Sequence, residues 1–347
     1  MTNKKNKYLH MKPLNKTNRI IYSMLIILFA GLVSCSKSDD NNPEQIEKQA
    51  DVYVAGYEWN GTKDVAKVWK NGAELYKLSD GTQNAIARSL FVSGNDVYVA
   101  GEEFNGTKDV AKVWKNGKEF SKLTNGTQNA FAYSVSVSGS DVYVAGEEFN
   151  GTNYVARLWK NGTETLLTDG VNESSAVTVF VSGSDVYVGG GEEIGSVSRG
   201  KIWKNGKLYF TFPKNTIKYV GAIYVQGTDV YAAGEDQYWV NPVASVPKIV
   251  KISGSVTYIN SLFISGNDVY AAGIEYDGTK DIAKVWKNGT ATKLSDENSE
   301  ANSVFVWNNK VFVVGYERVP AVIWEDGKPT KLADRGVANA VFVVERK

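Results

Sequence analysis

The 347-residue chain holds 39 basic and 38 acidic residues, one histidine and one cysteine. A balance this close to zero gives no electrostatic footprint for a phosphate backbone, so nucleic acid is excluded as a partner. His10 lies in an N-terminal leader and Cys35 at its end, so once the leader is removed the chain beyond that cysteine is expected to lack a Ser-His-Asp or Cys-His nucleophile, a His- or Cys-ligated zinc or haem site, and an internal disulfide.

Residues 1–34 read as a targeting segment. Lys4, Lys5, Lys7, Lys12, Lys16 and Arg19 form a basic leader, followed by the apolar run Ile20–Val33 of 14 residues. A membrane span needs ~20 residues, so the run fits a signal-peptide core. Leu32-Val33-Ser34-Cys35 resembles the lipobox of bacterial lipoproteins, which implies lipidation at Cys35 and a mature chain starting there. Met11 is an alternative start. Residues 35–50 hold that cysteine and a polar tether, whose reach at ~5–6 Å × √n is about 20 Å. Without the leader, 33 basic residues face 38 acidic ones, a net charge of −5, and no histidine remains.

From residue 51 to 347 the chain repeats itself. Asp51-Val-Tyr-Val-Ala-Gly56 returns as DVYVAG at Asp96 and Asp141, DVYVGG at Asp185, DVYAAG at Asp229 and Asp268, and KVFVVG at Lys310. The steps are 45, 45, 44, 44, 39 and 42 residues, a period that marks a repeat architecture. Each unit reads as four short strands. Strand A is SLFVSG-like, B is DVYVAG, C is KVWK and D follows an Asn-Gly turn. Strand A recurs near Leu90, Val135, Val179, Ile223, Leu262, Val304 and Val341. Strand C recurs at Trp69, Trp114, Trp159, Trp203, Val250, Trp286 and Trp324. The repeats begin on a B strand and end on an A strand, so the last strand is expected to complete the first blade. The expected fold is an all-β, seven-bladed propeller of four-stranded blades, closed by its C-terminal strand.

Comparison among the repeats sorts their polar groups. Tyr53, Tyr98, Tyr143, Tyr187, Tyr231 and Tyr270 give way to Phe312, so packing rather than the hydroxyl is expected to explain them. The tryptophans suit packing between blades. Two residues after each B-strand glycine stands an acid: Glu58, Glu103, Glu148, Glu192, Asp236, Glu275 or Glu317. Hairpin register sets Glu58 opposite Lys67, with bases repeating at Lys112, Arg157, Lys201, Lys248 and Lys284 and Val322 as the exception. Cross-strand pairs of this kind contribute roughly 0.2–1 kcal/mol each. Asn60, Asn105, Asn150, Asn161 and Asn288 read as turn residues supplying positive φ.

The A–B and C–D turns, on one face, are uniform. The B–C and D–A loops, on the other, are expected to carry the length variation and therefore the binding residues. Blades four and five depart most, in Gly189–Gly200, Glu235–Pro247 and the connector Phe212–Tyr219. These place Glu192, Glu193, Arg199, Lys214, Tyr219, Asp236, Tyr238 and Trp239 as candidate ligand-binding residues. Tyr238 and Trp239 suit stacking on a sugar or a partner side chain, or else packing on a neighbouring blade. No catalytic residue, metal site or cofactor is expected.

The DVYVAG…VWKNG…SVFVSG pattern resembles repeat lipoproteins of Bacteroidota-type bacteria, and its strand order is similar to NHL-type propellers. Ser38-Asp39-Asp40 resembles the acidic export signal of such surface lipoproteins. These resemblances imply an outer-membrane, cell-surface protein, with a periplasm-facing placement as the alternative. The expected function is a monomeric module that binds a glycan or an envelope protein. A carboxylate-dependent carbohydrate-active enzyme and a purely structural envelope protein are the alternatives.

Overall fold

Val, Tyr, Phe and Trp alternate at period two in each repeat, and Asn-Gly or Ser-Gly pairs turn the chain, so hairpins form in series. The computed structural model describes residues 48–252 and 257–346, whose regular elements are the strands β1 to β28. The leader, Cys35 and the tether as far as residue 47 lie outside the described residues. The strands form seven antiparallel four-stranded sheets, six of them running A-B-C-D in chain order. In the first sheet β28 (Gly336–Glu345) stands before β1 (Ala50–Trp59), β2 (Asp64–Lys70) and β3 (Ala73–Lys77). Val341 lies opposite Val54 and Val343 opposite Val52. The ring is a seven-bladed propeller closed as the strand order predicts.

The core lies between blades. Trp114 of blade two packs with Ala55, Ala66 and Val68 of blade one, and Trp159 of blade three with Ala100, Ala111 and Val113 of blade two. The strand-C tryptophans 69, 114, 159, 203, 286 and 324 are all at most 2% exposed, which gives them the packing role.

Blade five corrects the sequence reading. Its strand C is β18 (Gln237–Val240), and Trp239 opposite Ala232 fills the tryptophan slot. Val250, expected there, lies on the outer strand β19 (Lys248–Lys251). The long B–C loop is replaced by a tight turn in which Glu235 takes φ 54°. The extra residues Asn241–Pro247 therefore form a C–D loop on the face expected to be uniform. In blade four the expected loop is mostly strand: β13 (Asp185–Ile194) and β14 (Val197–Lys204) extend the hairpin to a turn at Gly195-Ser196.

The acid–base pairs exist, but on the diagonal. Lys67 is directly opposite Gly56, and Glu58 is opposite Val65, two residues along the same sheet face. In blade two Lys112 reaches Glu103 at 2.6 Å and Glu119 of the outer strand at 2.8 Å. Asp236 pairs at 3.7 Å with Lys251, not with Lys248, because blade five is re-registered. The turn asparagines divide in two. Asn161 and Asn288 take φ 51° as expected. Asn60, Asn105 and Asn150 leave the positive φ to the following glycine and act as acceptors; Asn60 Oδ1 takes the amides of Thr62 and Lys63.

A second repeated device explains why Asp opens strand B and Lys-Asn ends strand C. Asp96 binds Lys115 at 2.8 Å and Asn116 Nδ2 at 2.7 Å, while Asn116 Oδ1 accepts the Val97 amide. Lys115 also lies 4.9 Å from the centre of the Tyr98 ring. Blade seven inverts the charges: Lys310 pairs with Glu325, and Asp326 accepts the Val311 amide.

These bonds set an acid limit. Hydrogen bonds from lysine and then asparagine hold Asp96, Asp185 and Asp268 below the ordinary carboxyl value. The Thr279 hydroxyl, then the amides of Thr279 and Lys280, pull Asp277 down to about 2. A depressed carboxylate stabilises the fold fully above its unfolded value of 3.8 and loses that contribution as pH falls through the folded value. Glu102, Glu147 and Glu300, raised by burial, act oppositely: their folded form loses stability as pH rises above 4.5. The urea midpoint should thus be highest on the acid side of neutrality and fall steeply below pH ~4. A midpoint that stays level from pH ~4 to ~2 would contradict these assignments.

Candidate functional site at the axial mouth

Strand A lines the axis, and one bulge in every blade but the fifth decides what points there. In blade two Ala87 is opposite Gly101 and Ser89 opposite Ala100, so Arg88 is the extra residue. A bulge re-aims one side chain. The same position holds Tyr133, Val177, Asn260, Asn302 and Asn339 in blades three, four, six, seven and one. The B-strand glycines exist for this bulge. A Cβ on Gly101 would collide with the Ile86 carbonyl oxygen, and one on Gly146 with that of Phe131.

On one side of the ring the bulge residues form a belt. Asn260 Nδ2 donates to the Ala301 carbonyl, Asn302 to that of Ala338 and Asn339 to that of Ala87, at 3.1, 3.0 and 2.8 Å. Nearer the A–B turns an arc of rings lines the axis. Phe180–Tyr224, Tyr224–Phe263, Phe263–Phe305, Phe305–Phe342 and Phe342–Phe91 touch in turn, with centroids 4.5 to 5.4 Å apart. Ser136 takes the remaining place. The axial recess therefore faces the B–C and D–A loops.

The belt is broken over blades two to five, and there the recess is chemically distinct. Arg88 is clamped on Glu102 by bonds of 2.6 to 3.0 Å, with its guanidinium 5.2 Å from the centre of the Tyr133 ring. Tyr133 donates its hydroxyl proton to Glu147 at 2.8 Å. Burial pushes the Glu147 carboxyl up, against hydrogen bonds from Ser175 and Tyr133. Beside them lies a cavity of about 330 Å³ lined by Tyr133, Glu147, Glu173, Ser174, Ser175, Val177 and Tyr219. It spans blades three, four and five.

Glu173 is the sharpest departure from the repeat. Asn84 and Asn129 accept the amides of Asp64 and Asp109 in blades one and two; in blade three Glu173 accepts that of Tyr154 at 3.1 Å. An amide and a carboxylate have been exchanged for a carboxylate and a phenol at the same two places. Larger hollows of 490 and 460 Å³ lie on the flanks of blades six and seven. Their walls hold ion-paired side chains such as Lys284–Glu275 and Arg318–Glu297, and they lie away from the axial strands.

No protein-family model matches the chain, and no curated protein matches it in sequence. Among solved structures, the WD40 β-propeller domain of Doa1 matches at 15% identity with a TM-score of 0.50, covering 85% of this chain and 90% of that one. YjhT matches at 14% identity and a TM-score of 0.43, over 75% of this chain and 97% of its own. A Trypanosoma rangeli sialidase matches at 12% identity and a TM-score of 0.46, over 74% of this chain and 54% of that one. The propeller fold is what the Doa1 match shows. At this identity it carries no residue roles across.

Of the eight candidate residues, only Tyr219 lines the cavity. Glu193 stands next to it, its amide donating to the Glu173 carbonyl at 2.8 Å. Glu192 is buried and tied to Lys201 and Asn172, and Arg199 lies opposite it on β14. Lys214 is exposed on the connector. Asp236 holds Lys251. Tyr238 and Trp239 are 4% and 6% exposed; Trp239 meets Phe212 edge-on at 5.3 Å, and Tyr238 packs against blade six. Their rings are packed between blades, the alternative weighed from sequence, and are not presented for stacking. The reading missed Tyr133, Glu147, Glu173 and Ser175. For Glu147 the signal is the residue directly after the B-strand glycine, on the opposite sheet face from the acids that repeat: Tyr57, Glu102, Glu147, Gly191, Glu235, Ile274, Tyr316.

Proposed function

We propose that the chain is an envelope-anchored lipoprotein whose propeller binds a glycan or a protein partner through its B–C and D–A face, without catalysis. The observation that supports this most is the axial recess: lined by rings at one end, polar at the other, and distinct where the repeat breaks. A rigid ring with one chemically singular mouth suits recognition. Glycan arrays and pull-downs of envelope proteins with the purified chain test the reading. Turnover of any polysaccharide would favour a carboxylate-dependent enzyme instead.

The anchor rests on the Leu32–Cys35 motif. Cys35→Ser removes the thiol that would carry the lipid, so the chain should move from the membrane fraction to the soluble one. Unchanged membrane association of this variant would contradict lipidation at that residue.

A further inference from the structure

The hydrogen-bond census of the axial cavity narrows its ligand. Tyr133 gives its proton to Glu147, and Ser175 bonds the same carboxylate. Ser174 accepts the Ala156 amide at 3.0 Å and pairs with Thr168 at 2.7 Å. The Tyr219 hydroxyl is engaged with Ser198. Arg88, over the Tyr133 ring, is clamped on Glu102. The wall's hydroxyls are thus tied up within the wall, and Glu147 and Glu173 offer carboxylate lone pairs. A ligand that brings donors suits these acceptors, while a ligand carboxylate would meet two acidic side chains in a wall that holds no lysine or arginine.

Size and shape add the rest. At about 330 Å³ the cavity sits at the low end of the ~300–1,000 Å³ span of small-molecule sites. Tyr133 and Tyr219 contribute aromatic rings to its wall. A cavity of this size with aromatic walls suits one ring entering by its tip.

Resting on the proposed binding role of this face, we infer that the cavity takes the terminal ring of a glycan, neutral or amine-bearing, end-on, and rejects acidic sugars. Glu147 and Glu173 accept the ring's hydroxyl or amine protons, and Tyr219 packs against its apolar face. Calorimetric titration of the purified chain tests this with linear neutral oligosaccharides, glucosamine oligomers, uronate-terminated oligosaccharides and a cyclic oligosaccharide that has no end. The linear neutral or amino sugars should bind; the uronates and the cyclic sugar should not. Tyr219→Ala should weaken binding about tenfold. Glu173→Asn, which installs the residue used at this place in blades one and two, should weaken neutral-sugar binding and admit uronates; Glu147→Gln should do the same. Melting curves of each variant confirm the fold. Uronates binding the unaltered chain as tightly as neutral sugars would overturn the inference, as would binding of the cyclic sugar. If no sugar binds while an envelope protein is captured, the sugar inference falls and the binding role of the face stands. If sugars bind equally to Tyr219→Ala and Glu173→Asn in folded form, both fall.

Discussion

Deletion of Ala338–Lys347 should open the ring. These residues carry most of the strand that completes blade one, and Ala338, Val341 and Val343 are each at most 5% exposed. Each fully buried aliphatic side chain contributes ~1.5–3 kcal/mol. The loss extends to their partners: Val54, Trp69, Phe312 and Val314 pack against them, and Phe342 holds Phe91 and Phe305 in the axial arc. The backbone edge of β1 would also lie unpaired, a template for aggregation. Together these terms are comparable with the whole ~5–15 kcal/mol margin of a typical domain. The truncated chain should therefore lack a cooperative urea transition and run as aggregate on size exclusion. A monomer with an unchanged midpoint would contradict closure by the C-terminal strand.

Gly101→Ala should be among the most damaging single methyls. The added carbon would lie less than a hydrogen-bond length from the Ile86 carbonyl oxygen and close to the Ala87 backbone. Both belong to the bulge that aims Arg88 at the axis, so relief requires moving the inner strand itself. Overpacking in cores costs ~1–3 kcal/mol where side chains can yield; here only backbone can, so about 3 kcal/mol or more is expected. Gly94→Ala serves as the control. Gly94 has φ 61° and open space around it, so only the ~1–2 kcal/mol of a left-handed alanine applies. Urea unfolding should rank Gly101→Ala well below Gly94→Ala. Equal losses would mean that the B-strand glycines serve conformation rather than close approach.

The ring was legible because its devices use rare letters. Gly and Trp each do one job in every blade; Lys-Asn ends strand C in five of the seven, Val240 replacing the lysine in blade five and blade seven showing the Asp–Lys pair inverted. Blade five misled because Lys248-Ile-Val-Lys251 resembles the KVWK of strand C, while Trp239 arrives early after a turn too short to show as a loop. The axial site was hidden by alternation. Glu103 and Glu148 repeat on one sheet face and are neutralised by Lys112 and Arg157, so they drew the reading. Glu102 and Glu147, one residue earlier, point to the opposite face. The bulge positions hold Arg88, Tyr133 and Val177, three side chains with nothing in common, and only the strand register shows that they share a place.

Hydrogen–deuterium exchange of the purified chain, with and without a ligand captured on the array or in the pull-down, tests the axial site most directly. Amides of residues 131–135, 173–177 and 217–222 should exchange more slowly on binding, while the A–B and C–D turns, including Asn241–Pro247, should keep their rates. Protection confined to those turns or to the flanks of blades six and seven, with the axial segments unchanged, would contradict the account.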